Sequence, residues 1–169
     1  MMRHHNKFIA NKGGFTLVET MVALTVLLVS VVGPISLIGN SLRNIYYVRD
    51  QMVAINLAQE GIEVTRWRRD SNMLDGAPTL WDAGLDVGSY IVDAPLFALD
   101  SSADTKVYQD AAGFYRQGTG FTTATQFLRT VTIESVATGE RKVTSTVTWN
   151  TGNDAGTITA VGHLFNVIP

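Results

Sequence analysis

The pattern of hydrophobic and polar positions sets one long apolar stretch apart from the rest of the chain. Phe15 to Ile38 forms a run of 24 residues in which Glu19 is the only charged residue. An α-helix of this length measures ~36 Å, which exceeds the ~30 Å hydrocarbon layer of a bilayer. A core helix of a soluble domain would show a polar face, whereas this run shows only scattered Ser and Thr. The pattern therefore predicts a membrane-spanning helix over residues 15–38.

Residues 39–70 carry an amphipathic pattern, which predicts that the helix continues out of the membrane to about Arg69. The sequence Asp70-Ser71-Asn72, followed by Asp75-Gly76, is typical of a helix end. We expect the apolar stripe of this second half to be covered by the remainder of the chain. The stripe consists of apolar residues at three- and seven-residue spacings, namely Leu42, Ile45, Met52, Ile55 and Ile62.

Residues 71–169 are predicted to form a globular head with antiparallel strands. Polar and apolar residues alternate in Thr130–Ser135 and again in Lys142–Trp149, and residues 137–140 between them suit a hairpin connection. Further strand candidates are Gly88–Asp93, Val107–Arg116 and, as an edge strand, Thr157–Ile168. One face of the sheet should lie on the helix, and its residues are Val131, Ile133, Val143, Val147 and Trp149. The fold class is α+β: a long N-terminal helix packed against a small antiparallel sheet.

Charge is distributed unevenly between the start of the chain and its body. Residues 1–14 contain Arg3, Lys7 and Lys12 and no acid, which leaves 10 basic and 15 acidic residues for the rest. A basic start retained in the cytoplasm and an acidic body outside it fit a single-pass membrane protein. Cysteine is absent, so disulfides and thiol chemistry are excluded.

The start of the apolar run resembles the processing motif of type IV prepilins and of the related pseudopilins of type II secretion. The residues that carry the resemblance are Lys12-Gly13-Gly14-Phe15-Thr16-Leu17-Val18-Glu19. The resemblance implies a leader of residues 1–14, cleavage between Gly14 and Phe15 by a membrane aspartic protease, and methylation of the new Phe15 amine. Residues 56–63 also resemble the helix of minor pilins and pseudopilins.

Two sets of residues within the run are candidates for assembly. The carboxylate of Glu19 is a natural partner for the amine that cleavage creates at Phe15, although an interfacial acid that snorkels to the membrane surface is the alternative. Gly33 and Pro34 predict a helix break, because proline lacks the amide donor and clashes with the preceding turn. The resemblance implies that this segment unwinds when subunits pack, while the alternative is that Gly and Pro are simply commoner in membrane helices.

The sequence contains no pattern of catalytic residues, so we do not expect an enzyme, a cofactor or a metal site. His4 and His5 lie in the leader and His163 stands alone, which excludes a histidine-based metal cluster from the mature chain. The Asp residues between 70 and 110 match no calcium loop and suggest a solvated acidic face. Arg66, Trp67, Arg68 and Arg69 could contact DNA, but cations also suit a helix C-terminal turn.

These observations favour a structural subunit, of the minor class, in a type IV pilus or a secretion or competence pseudopilus. Its expected partners are other pilin subunits, the prepilin peptidase, an inner-membrane assembly platform and membrane lipid, whereas DNA is unsupported. Such a subunit would reside in the inner (cytoplasmic) membrane with its head outside the cytoplasm before entering the filament. The alternative is a single-pass membrane receptor or adhesin with a ligand-binding head.

Overall fold

The computed structural model describes residues 13–75, 80–152 and 154–166. The basic leader residues Arg3, Lys7 and Lys12 lie outside these ranges, as does Ile168 at the end of the last strand candidate. The described part of the chain divides into two units between Arg43 and Asn44.

A single helix, α1, runs from Leu17 to Asp75 and confirms the long N-terminal helix. Its end lies six residues beyond the predicted end at Arg69. The extension has a local cause, because the Asn72 side-chain amide donates hydrogen bonds to the carbonyls of Trp81 and Ala83 at 3.0 and 2.9 Å. These bonds tie the last turn to the loop that follows it, and Asn72 is buried there.

Seven antiparallel strands follow the helix, which confirms the α+β class. Their bounds are β1 Gly88–Asp93, β2 Ala98–Asp100, β3 Lys106–Gln109, β4 Tyr115–Arg116, β5 Ala124–Ala137, β6 Glu140–Thr151 and β7 Asp154–Phe165. The candidates at residues 88–93, 130–135 and 142–149 are strands, the last two with longer bounds in the hairpin β5–β6, and β7 covers most of the last candidate from an earlier start. The candidate Val107–Arg116 is a hairpin of β3 and β4 rather than one strand, because the turn at Asp110–Gly113 reverses the chain.

Strand β5 is the centre of the sheet. One of its edges pairs with β6 from Phe127 to Ala137, and its other edge is shared by β3 and β1. β2 pairs with β1, and β4 pairs with β3. β7 pairs with β6 over its whole length and with no other strand of the described residues, so it forms an edge, as the sequence predicted.

The predicted inner face of the sheet is correct, but the predicted helix stripe is wrong. All five sheet residues are buried, and they form two apolar clusters with helix residues. Of the predicted stripe only Ile62 is buried, while Leu42, Ile45, Met52 and Ile55 are exposed. The helix instead buries a seam made mostly of small residues, namely Asp50, Ala54, Leu57, Ala58, Gly61, Ile62, Val64, Thr65 and Asn72.

Small residues are needed because the helix backbone approaches the sheet closely. A Cβ atom built on Gly61 would lie 2.4 Å from the Ser145 Oγ and 2.9 Å from a methyl group of Val131. Real Cβ atoms do not approach other atoms so closely, so a side chain at this position requires the Ser145 and Val131 side chains to move or the helix to shift away from the sheet.

We expect Gly61→Val to lower the free energy of unfolding by about 1–3 kcal/mol, the usual cost of overpacking a filled core. Thermal denaturation of the full chain in detergent micelles, followed by near-ultraviolet circular dichroism, measures the change. The matched control is Glu63→Val, which introduces the same side chain on the exposed face of the same helix. Equal melting temperatures for the two variants would contradict the close approach at Gly61.

A buried arginine provides the polar connection between the helix and the sheet. The Arg129 side chain on β5 is fully buried, and its guanidinium donates to Glu60 Oε2, to the Leu57 carbonyl and to the Val92 carbonyl. Its Nε donates to Gln117 Oε1 at 2.8 Å. Burial lowers the pKa of Arg129, and the nearby Glu60 carboxylate opposes that shift.

Candidate processing and assembly site

The peptide bond between Gly14 and Phe15 lies outside the helix in an exposed segment. Residues 13–16 have no regular secondary structure, and the side chain of Phe15 is 81% exposed. A Cβ atom built on Gly14 would meet no other atom within 4 Å. The fold of this chain therefore does not require glycine at position 14, which is consistent with a requirement imposed by another molecule, such as a protease cleft.

Thr16 caps the helix, and this feature was missed in the sequence. The Glu19 amide donates to Thr16 Oγ1 at 3.2 Å, and the Thr20 amide donates to the Thr16 carbonyl at 3.1 Å. Thr16 and Glu19 have the Thr-x-x-Glu spacing of a capping box, which could have been recognised from the sequence alone. Glu19 thus lies in the first turn, where a negative charge also interacts favourably with the helix dipole.

Within the apolar run, the hydroxyl groups are satisfied by the helix itself. Thr20, Thr25 and Ser30 each donate to the carbonyl three residues earlier at 2.8 Å. Ser36 donates to the Val32 carbonyl at 3.2 Å. Because these polar groups need no water or other partner, they do not oppose a lipid environment.

By length and composition, α1 is able to cross a membrane. Its most apolar window of 18 residues has a mean hydropathy of 2.5, and none of that window is buried within the chain. The large apolar side chains from Phe15 to Ile38 are all exposed. An apolar surface of this size is expected to contact lipid or other protein rather than water.

Gly33 and Pro34 do not end the helix, and the kink or loosening expected at this pair stays a prediction. α1 is continuous through both residues, with Pro34 in its interior. Proline removes one backbone hydrogen bond, the bond to the carbonyl of Ser30. Whether this segment unwinds when subunits pack in a filament stays a prediction.

The basic cluster at the end of α1 has structural partners. Arg66 pairs with Glu63, and Arg69 pairs with Asp70. The Trp67 ring packs against the Phe97 ring in a tilted arrangement, with ring centroids 4.8 Å apart. Two of the three cations are therefore paired with neighbouring acids.

Several of the aspartates between 70 and 110 also have structural roles, which corrects the expectation of a solvated acidic face. Asp93 is buried and forms a two-bond ion pair with Arg116 at 2.7 and 2.8 Å. Asp110 accepts the amides of Ala112 and Phe114, and the Phe114 bond is the largest cause that lowers its pKa. Among the described residues, no group of His, Asp and Glu is arranged to hold a metal ion.

Comparison with known protein families identifies the N-terminal segment. Residues 9–33 match the prokaryotic N-terminal methylation motif, which spans Gly14, Phe15, Glu19 and Gly33. No curated protein and no solved structure matches the chain. The chain thus carries a prepilin-type leader motif that fits the family of type IV pilins and pseudopilins. This motif indicates a pilin-like structural protein rather than an enzyme and, together with the apolar helix, fits anchoring in a membrane.

Proposed function

We propose that the chain is a subunit of a type IV pilus or a related pseudopilus, cleaved after Gly14 by a prepilin peptidase and assembled through α1. The observation that carries this proposal is the methylation motif at residues 9–33 in front of an exposed apolar helix. The non-helical, exposed segment around Gly14 supports cleavage, because a protease binds its substrate in an extended conformation. In this proposal Phe15 gains a methylated amine, and Glu19 is the carboxylate that meets it.

A second apolar surface supports packing against other subunits. Ile45, Val48, Met52 and Ile55 recur at spacings of three and four residues and are exposed on the helix face opposite the small-residue seam. This spacing is typical of a helix that packs against another helix. A partner helix from a neighbouring subunit would cover a surface that the head itself leaves open.

We assign the subunit to the minor class, and the support is the irregular part of its head. Residues 94–123 contain only short strands and a turn of 3-10 helix at Ala94–Leu96, so this region offers no regular surface for a repeating shaft contact. The partners in this proposal are other pilins, the peptidase, an inner-membrane assembly platform and lipid. The head would lie outside the cytoplasm.

Cleavage is the direct test of the proposal. Intact-mass analysis of the protein from peptidase-positive cells is expected to show a chain that begins at Phe15 and is one methyl group heavier than its sequence. The same cells without the peptidase should contain only the full precursor. Gly14→Leu should also leave precursor in the membrane, while the control Gly13→Ala should be cleaved. A membrane receptor would keep its leader in both strains, and this result would overturn the proposal.

A further inference from the structure

The free edge of β7 is the longest unprotected edge of the sheet. The strands that end the other side of the sheet, β2 and β4, are three and two residues long, whereas β7 has 12 residues. Natural edge strands are usually protected by lysine, proline, a bulge or short length. β7 contains no lysine or proline, and its register with β6 is continuous from Asp154 to Phe165.

The last hydrogen bond between β6 and β7 shows which β7 residues bond to β6 and which direct their backbone groups to the free edge. The Asn166 amide donates to the Gly139 carbonyl at 2.8 Å, and these two residues are opposed when the β6–β7 register is extended by one position. Bonding positions alternate along an antiparallel strand, so the even-numbered residues of β7 bond to β6. The backbone amides and carbonyls that point to the free edge belong to Ala155, Thr157, Thr159, Val161, His163 and Phe165.

We propose that this edge binds the β7 edge of a second copy of the chain, antiparallel and with Ala160 on the two-fold axis. A row of free amides and carbonyls is complementary only to another extended backbone, and a two-fold contact requires a self-complementary edge. In this register Thr159 opposes Val161 of the second copy, and Thr157 opposes its His163. Because the outward-pointing residues oppose one another, every free amide from residue 155 to residue 165 gains a carbonyl partner.

The side chains on the inner face of β7 are compatible with this register. Ile158 would oppose Gly162 of the second copy, and Leu164 would oppose its Gly156. No two bulky side chains are therefore opposed on the inner face.

The outer face of the edge also suits pairing. Val161 and Phe165 are 54% and 45% exposed, and the opposed pairs of Thr159 with Val161 are β-branched residues, which pair favourably across strands. No two like charges are opposed on either face: in the inner-face set Asp154 would face Asn166 of the second copy, and on the outer face His163 would face Thr157, with its ring already bonded to Glu140 of its own chain at 2.7 Å.

The direction of the helix indicates where such a contact occurs. Gly162 lies over Ile62, while Thr151, which opposes Asp154 at the start of β7, donates to Asp50 at 2.7 Å. Within the head the helix therefore runs in the same sense as β7, and antiparallel β7 strands bring antiparallel head helices. Subunits side by side in one filament have parallel helices, whereas this contact requires antiparallel ones. The contact would therefore join subunits of two facing filaments. Only this placement between filaments rests on the proposed function; the β7–β7 contact itself does not.

A single cysteine tests the register, because the natural chain has none. Ala160→Cys places the two Cβ atoms in a non-hydrogen-bonded pair across the axis, a geometry close enough for a disulfide. Full-length protein in detergent micelles, mildly oxidised and run on a non-reducing gel, should show the disulfide-linked dimer. The matched control is Thr157→Cys, whose two copies would be six residues, ~20 Å, apart along the edge. We expect about tenfold more linked dimer for Ala160→Cys than for this control.

A backbone variant tests the hydrogen bonds themselves. Val161→Pro in the Ala160→Cys background removes an outward amide without removing a bond to β6, so the protein should fold and the dimer should be lost. Val161→Thr keeps the amide and should keep the dimer. If Val161→Pro lowers the melting temperature, Phe165→Pro replaces it at another outward amide. The proposal would be overturned if Ala160→Cys and Thr157→Cys gave equal amounts of disulfide-linked dimer, or if proline did not reduce the amount of dimer. Neither result depends on whether the chain enters a filament.

Discussion

Glu60→Ala is expected to lower the free energy of unfolding by about 3 kcal/mol, near the lower end of the range for breaking a buried ion pair. Its partner Arg129 is fully buried, so the loss of the carboxylate leaves a cation in the core with only neutral oxygen atoms as direct partners. The lower end of the range applies because Glu60 itself is 31% exposed and water screens part of its interaction.

The measurement is chemical denaturation of the full chain in detergent micelles, followed by the fluorescence of Trp149 and the other tryptophans. The matched control is Glu63→Ala, which removes an exposed pair with Arg66 one turn away and should cost no more than about 0.5 kcal/mol. Glu60→Gln keeps an acceptor without the charge and should fall between wild type and Glu60→Ala. If Glu60→Ala and Glu63→Ala have the same stability, Arg129 does not depend on its counter-charge.

Strands β1, β5 and β6 were predictable because each has a local signal, whereas β2 was not predicted and β3 and β4 were predicted as one strand. Residues 88–93 match β1 in full, and the alternation in residues 130–135 and 142–149 gave the central hairpin and the correct buried face. The helix stripe was wrong because the pattern favoured large apolar residues, while a helix that approaches a sheet closely buries small ones. The sequence Ala54-x-x-x-Ala58-x-x-Gly61 was the available signal.

The buried Arg129 shows which features of the head can be predicted from the sequence and which cannot. Arg129 lies one residue before the predicted strand and has the same parity as Val131 and Ile133, so extending the alternation by one residue would have placed it on the inner face of β5. Its partner could not be predicted, because Glu60 is 69 residues earlier and only the packing of α1 on β5 brings the two together. In the same way, the processing motif is local and was recognised from residues 12–19, whereas the free edge of β7 depends on the order of strands in the sheet.

Glu19→Ala is expected to separate membrane anchoring from filament assembly. A charge in the apolar run opposes insertion, by ~2.5–3.5 kcal/mol at the bilayer centre and by less at this shallow depth, so the variant should insert at least as well as wild type. The segment around Gly14 is not part of the helix, so cleavage should also proceed. In a filament, however, the carboxylate is proposed to meet the amine that cleavage creates at Phe15 of a neighbouring subunit. A charge-assisted bond of ~1.5–3 kcal/mol corresponds to about a tenfold or greater loss of the variant from filaments.

The capping geometry requires a second variant before this loss can be assigned to charge. Because Glu19 occupies the third helical position after the Thr16 cap, alanine also removes the acid that completes the Thr-x-x-Glu spacing of a capping box. Glu19→Gln keeps the reach and hydrogen-bonding capacity of that side chain and removes only the charge. Cells with each variant are fractionated, and the membrane pool and the sheared or co-purified pilin pool are blotted. If charge pairing with the amine is the cause, Gln and Ala are both cleaved, both remain in the membrane, and both are lost from the filament pool. If Glu19→Gln is incorporated normally while Glu19→Ala is lost, Glu19 acts through the helix cap. If both variants are incorporated normally, Glu19 is a tolerated acid at the membrane interface.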